Sequence, residues 1–384
     1  MFKMLNASTD EIDSAERAIS DILSQIKPNE NLLKNSVGIV SCHCDYVESG
    51  LIKELCALLP FDVIGATALA SGAGGRYGEE SLNLSVLTSD DISFSVALTE
   101  RLSKDNITKP LSDAYGAARA RLAEDPKLII AFSSVLGDVS GSVTLDALDE
   151  VCGSVPIIGG LANDHTIKYD RSCVIKNGVG QKDSVVMLLI QGDVSPKFFV
   201  ASVLEKNVRK QRAVITDSDG CVLKRVNDMP LLEYLASIGL KKTGESASAL
   251  PFLVDYGNDT KPVALGIYSF LPNGDALCGG YMPVGATFSV GILSQEGIME
   301  TAEKTVSAML KENDANGFFF FPCLSRCLML NPESRVECDK ISSMIGGSVP
   351  FHFFYAGGEI SPLYDDAGKT HNRFHNYTFV GCVL

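Results

Sequence analysis

Three stretches of this chain repeat one order of apolar and polar positions. In the first, the apolar run 37–41 is followed by a short polar segment, 42–45. Leu51, Ile52, Leu55 and Leu58 then recur at helical spacing, and a second apolar run closes the unit at Pro60–Gly65. The second runs from 128–133 through Gly137 and Asp138 to Val143, Leu145 and Leu148, and closes at Pro156–Gly160. The third starts at 318–321, continues with Pro322 and Cys323, a polar loop and a helix around 341–345, and closes at 350–355 with Gly357 and Gly358 behind it. Short runs that are apolar throughout predict strands covered on both faces, and periodic self-similarity predicts one β-α-β unit used repeatedly.

Other patterns fill the gaps. Ser8-Thr9-Asp10-Glu11 reads as a capping box before Ile12, Ala15, Ile19, Ile22 and Ile26, predicting a helix within 1–29. Strands are expected at 185–190, 198–204 and 213–216, a hairpin turn at 217–220, and a short helix at 230–238. Residues 241–249 carry no periodicity and mark a boundary. Beyond them, 263–270, 276–281 and 287–292 read as hairpin strands around a Pro272-Asn273-Gly274-Asp275 turn, and 296–310 as an amphipathic helix. The expected architecture is α/β: an N-terminal helix (1–29) and two domains (30–240 and 241–384), built from β-α-β quasi-repeats with added hairpins.

In sheets flanked by helices, ligands sit beyond the carboxyl ends of the strands. Those ends are residues 41–45, 65–75, 133–138, 159–165, 323–326 and 357–359. The candidate ligand-binding residues drawn from them are Ser41, His43, Thr67, Ser133, Gly159, Gly160, Cys323, Arg326, Gly358 and Glu359. Glu359 offers a carboxylate to a ligand amine, and Arg326 a two-pronged clamp for a ligand carboxylate or a partner for Glu359. The same residue types also dominate ordinary turns.

Composition narrows the function. The 384 residues are 46% apolar and 21% charged, with a formal net charge of −14. That is a globular chain with ample core and a poor match to polyanions, so no nucleic acid partner is expected. The 11 cysteines form no C-x-x-C, which favours a reducing compartment. With no signal peptide and no apolar run long enough to span a bilayer, a cytoplasmic protein without membrane insertion is expected.

Cys42-His43-Cys44 suggests metal, yet two cysteines on one short segment point apart and no second pair lies nearby, so no metal is expected. Haem needs only one axial histidine, and His43, His165, His352, His371 and His375 are eligible; His352 alternates within an apolar strand as a core residue would. Gly72-Ala73-Gly74-Gly75-Arg76 does not match a dinucleotide fingerprint and reads as a loop over the site. The familiar hydrolase, P-loop and zinc-protease motifs are missing. Cys323 with His352 or His375 is the one thiol–imidazole pairing to consider, and no catalytic residues are assigned.

The chain resembles the FIST family (F-box and intracellular signal transduction proteins). The likeness rests on the 37–65 and 128–162 units, the 214–239 stretch, Phe321-Pro322-Cys323 and, above all, the ending Phe354-Tyr355-Ala356-Gly357-Gly358-Glu359-Ile360-Ser361-Pro362 with His375-Asn376-Tyr377-Thr378. Ser325-Arg326-Cys327 stands where many relatives have Cys-x-Gly-Arg. The resemblance implies a small-molecule sensor of bacterial signal transduction, with an amino acid or similar polar ligand. It implies haem-based gas sensing as an alternative, and a histidine kinase, chemoreceptor or cyclic-dinucleotide enzyme as partner. With no output domain expected after Leu384, that partner is expected to be a separate chain.

Overall fold

The computed structural model describes every residue except 138, 167, 241–249, 258–259 and 332. Each of the three expected units contains a parallel strand pair: Asn35–Cys42 with Val63–Thr67, Leu128–Ser133 with Ile157–Leu161, and Phe318–Pro322 with Phe351–Phe354. The crossovers are helical. The first uses Cys44–Glu48 and Leu51–Ala57, the second Gly141–Cys152, the third Leu324–Leu330 and Val336–Ile345. The polar loop expected after Cys323 is therefore a helix. Leu324, Cys327 and Leu330 are buried along one side of it, a spacing too short to register as helical beside Asn331 and Pro332.

Antiparallel strands widen each pair into a six-stranded sheet. The sheets are interlocked cyclically. The hairpin that leaves the first unit, Ser71–Ala73 with Arg76–Gly78, pairs with Phe351–Phe354 of the third. The hairpin leaving the second, Val174–Lys176 with Val179–Gln181, pairs with Val63–Thr67 of the first. The hairpin leaving the third, Glu359–Tyr364 with Thr370–His375, pairs with Ile157–Leu161 of the second. After each exchange the chain returns to its own sheet, through Leu82–Ser89, Val185–Gln191 and Phe379–Val383. The boundary expected at 241–249 lies outside the described residues; the described strands on its two sides share these sheets.

The strands of the three parallel pairs are buried on both faces, from residue 37 onward in the first, which explains their continuous apolar character. Ile39, Ile64, Ile130, Phe132, Phe319 and Phe321 point into one common core, and their neighbours Val40, Val63, Ile129, Ala131, Phe318 and Phe320 face helices. At about 1.5–3 kcal/mol for a fully buried large apolar side chain, this shared core is the main attraction holding the three units together.

The N-terminus departs from the expected capping box. Phe2–Thr9 is a strand, paired antiparallel with Leu82–Ser89, and its Thr9 ends that strand. The helix starts later, at Ala15–Ile26, with Ser14 as its N-cap accepting from Arg17 N at 3.4 Å. Burial of Met4 and Ala7 in the sheet outweighs the local cap signal of Ser8. Between Lys197–Ala201 and the helix Gln295–Met309, the third unit carries an insertion. Its antiparallel strands run from Val208–Asp219 to Thr287–Gly291 and enclose the helix Leu231–Ser237. No helix among the described residues is long and apolar enough to cross a membrane.

Candidate functional site

The carboxyl ends of the parallel strands do converge, joined by main chain and one asparagine. Asn163 N donates to Thr67 O at 3.0 Å, its Nδ2 donates to Tyr355 O at 2.6 Å, and its Oδ1 accepts from Leu69 N at 2.8 Å. One buried amide thus ties exits from all three units. Leu161 N to Gly358 O and Gly357 N to Leu161 O, both 2.9 Å, close the seam. Asn163 was not among the expected site residues, although it lies in the 159–165 strand end.

This convergence is sealed rather than hollow. Ser41, Thr67 and Ser133 are buried; Thr67 Oγ1 accepts from Cys173 N at 3.0 Å and Ser133 Oγ donates to Ser134 O at 3.0 Å. The Ser41 hydroxyl has no hydrogen-bond partner among the described residues. Gly159 has φ 140°, and a Cβ there would stand 1.9 Å from Ala131 O; at Gly160 it would stand 2.7 Å from Gly358 O. Those glycines allow the close backbone approach that a Cβ would block. Gly358 likewise packs under Phe374.

Arg326 is also not a ligand clamp, and its partner is not Glu359. It is fully buried. Its Nε donates to Glu337 Oε1 at 3.0 Å, and its guanidinium also reaches Ile298 O at 2.8 Å and Thr301 Oγ1 at 3.2 Å. Tyr355 Oη donates to the other Glu337 oxygen at 2.8 Å. Arg326 and Glu337 lie on two helices and Tyr355 just past the strand Phe351–Phe354, and only the tertiary fold brings them together.

Glu359 is the unusual member. It has no exposed surface, Oε2 accepts from Thr378 N at 3.1 Å and Oγ1 at 2.7 Å, and Oε1 has no hydrogen-bond partner among the described residues. Burial pushes its carboxyl up to about 8, against the opposing pull of Thr378 and Cys323. Burial also pushes the neighbouring Cys323 thiol well up, with Glu359 adding to the effect, away from the thiolate a nucleophile requires.

Two cavities open near this seam. One, of about 290 Å³, lies between the second unit and the insertion; Leu161, Val139, Ser140, Tyr169, Tyr268 and Gly357 are among its walls. Tyr169 adopts a left-handed φ of 61° there, strain of the kind that gathers at ligand sites. Burial raises the hydroxyl of Tyr169, with Cys323 and Glu359 adding to the effect. The other, of about 230 Å³, is lined by His43, Asp45, Leu69, Glu79, Glu80, His165 and Arg171. A larger open groove of about 1100 Å³ sits at the opposite, amino-terminal ends of the strands.

The histidines are dispersed. His352 is buried, with Nδ1 2.9 Å from Ser85 Oγ, and burial lowers it to about 3. His375 is lowered to about 4 for the same reason, and His371 contacts Asp365. His371 and His375 both lie in the strand Thr370–His375. His43 and His165 face each other.

A family model described as the FIST N domain matches residues 36–229, and one described as the FIST C domain matches residues 230–362. The chain belongs to the FIST family. FIST domains are associated with signal transduction and small-ligand sensing. No curated protein matches this FIST chain. Among solved structures it is similar to a cyanuric acid hydrolase from A. caulinodans, at 11% identity and TM-score 0.24, over 50% of this chain and 72% of that one. It is also similar to a cyanuric acid hydrolase described as an evolutionary innovation by structural concatenation, at 9% identity and TM-score 0.33, over 100% and 98% of the two chains.

Proposed function

We propose that this FIST protein is a non-enzymatic sensor that binds an amino acid or similarly small polar molecule in the cavity of about 290 Å³ and signals to a separate partner. One observation carries the reading. The cavity lies where residues 135–169 meet residues 268–278 of the insertion, so an occupant touches both and couples their positions. Its size suits a molecule of about ten heavy atoms, below the range of drug-sized pockets. Apolar walls at Val139, Leu161 and Leu277 supply burial. The tyrosine hydroxyls and Ser140 supply directional polar contacts.

A ligand that prefers one placement of the insertion shifts the population toward it. The moved surface is then read by another chain, of the histidine kinase, chemoreceptor or cyclic-dinucleotide enzyme kind.

A thermal-shift screen of the amino acids and small carboxylates tests this. A true ligand at a hundredfold excess over its Kd stabilises the fold by about 2.7 kcal/mol. Val139→Phe, which fills the cavity, is expected to abolish that gain while keeping the unliganded fold. The proposal fails if no compound stabilises the protein, or if the hits stabilise Val139→Phe equally.

A further inference from the structure

The second cavity holds a constellation that the family reading does not use. His43 Nε2 lies 3.2 Å from His165 Nδ1, and Cys44 Sγ lies 3.8 Å from the former and 3.7 Å from the latter. The three donor atoms form a compact triangle whose members come from two strand ends far apart in sequence. Zinc–nitrogen bonds of about 2.0–2.1 Å and a zinc–sulfur bond of about 2.3 Å, at tetrahedral angles, place two nitrogens about 3.3 Å apart and nitrogen and sulfur about 3.6 Å apart. The donor spacings are close to these values, while Cys44 Sγ, which is also 4.0 Å from His43 Nδ1, lies beside the His43 ring, so that ring turns to aim Nε2 at a bound metal. The objection that Cys42 and Cys44 point apart is correct, since Cys42 packs in the core under the first sheet. The third donor is instead supplied by His165, from the loop after Ile157–Leu161.

The geometry points to a site for a borderline-soft divalent transition metal of the zinc type, held by His43, Cys44 and His165, with its fourth position open to the adjoining cavity.

The surroundings are built for this role. Asp45 Oδ2 is 3.4 Å from His43 Nδ1, within reach to act as the outer carboxylate once a metal sits at Nε2. In this structure that nitrogen accepts from Asp45 N at 3.4 Å, and metal at Nε2 exchanges that bond for the carboxylate contact. Asp45 is fixed by Arg171, which also holds Glu48 through Nε at 2.8 Å. The loop bearing His165 is pinned by Asp164, whose carboxylate accepts from Thr166 N at 2.8 Å and Arg171 N at 2.6 Å. Glu79 and Glu80 add negative charge to the cavity rim. An open fourth position in an acidic cavity is the arrangement of a metal that also binds water or a small ligand, not of a closed structural site.

Titration of the metal-free full-length protein with Co²⁺, followed by absorption, tests the assignment. One equivalent is expected to bind with ligand-field bands of tetrahedral type and a thiolate-to-cobalt charge-transfer band, all displaced by Zn²⁺. Cys44→Ser is expected to lose the thiolate band, and His165→Ala, at an exposed position, to weaken affinity at least tenfold with an unchanged circular dichroism spectrum. His371→Ala, remote from the cluster, is expected to bind as the parent does. Absence of a stoichiometric thiolate band, or unchanged affinity in His165→Ala, overturns the proposal. Because this cavity is separate from the one lined by Tyr268, neither result bears on the small-ligand reading.

Discussion

Replacing Glu359 by glutamine changes one proton equilibrium and almost no volume, so its effect on stability can be worked out. In the fold, burial raises this carboxyl from 4.5 to about 8. The folded protein therefore retains the proton up to about pH 8, while the unfolded chain releases it above 4.5. Between those values the unfolded state binds fewer protons, so stability falls as pH rises, by about 1.4 kcal/mol per pH unit. The stabilising share of the neutral acid is fully present below pH 4.5 and lost on approaching pH 8. At pH 7 the accumulated cost is about 3 kcal/mol, a large fraction of a typical folding free energy. Glutamine keeps an oxygen for Thr378 N and Oγ1 and does not titrate. Urea unfolding of both proteins at pH 5, 6, 7 and 8 should show the variant gaining on the parent by about 1.4 kcal/mol per unit, whatever its offset at pH 5. Parallel curves, with a constant difference across the range, would falsify the assignment of Glu359 as a buried acid held neutral. The expected result would mark it as a group kept at a cost to stability, the usual signature of a functional position.

Two further outcomes follow from the seam. Arg326→Met leaves Glu337 buried without its cation and should lose about 3–5 kcal/mol of stability in urea unfolding. Arg326→Met combined with Glu337→Leu should recover much of that loss, because no charge is then stranded. A loss below about 1 kcal/mol for the single change would contradict the structural role given to this pair. Gly159→Ala should cost about 4 kcal/mol or more and yield little soluble protein, since its Cβ would overlap Ala131 O. Normal yield and an unchanged melting temperature would show that the strand crossing is not as drawn.

What the chain determines alone is what local pattern can encode. Asn35–Cys42, Leu128–Ser133 and Phe318–Pro322 were readable as strands because burial on both faces leaves no polar alternation, and the Asn273-Gly274 turn because its backbone needs those residues. The repeat was legible for the same reason, since each unit solves the same burial problem with the same order of side chains. Glu359 was expected in the loop past a carboxyl strand end, whereas it opens the strand Glu359–Tyr364 and pairs with Gly160. Ser8 misled because a cap signal reaches only three residues, whereas the pairing of Phe2–Thr9 with Leu82–Ser89 is set by a partner far along the chain. Only the tertiary structure decided which sheet each exit hairpin joins, that Arg326 meets Glu337, and that His165 closes on His43 and Cys44. Those contacts join residues whose sequence separation carries no periodic trace. They form because three sheets must share one core, and the geometry of that core, not the neighbours in the chain, chooses the partners.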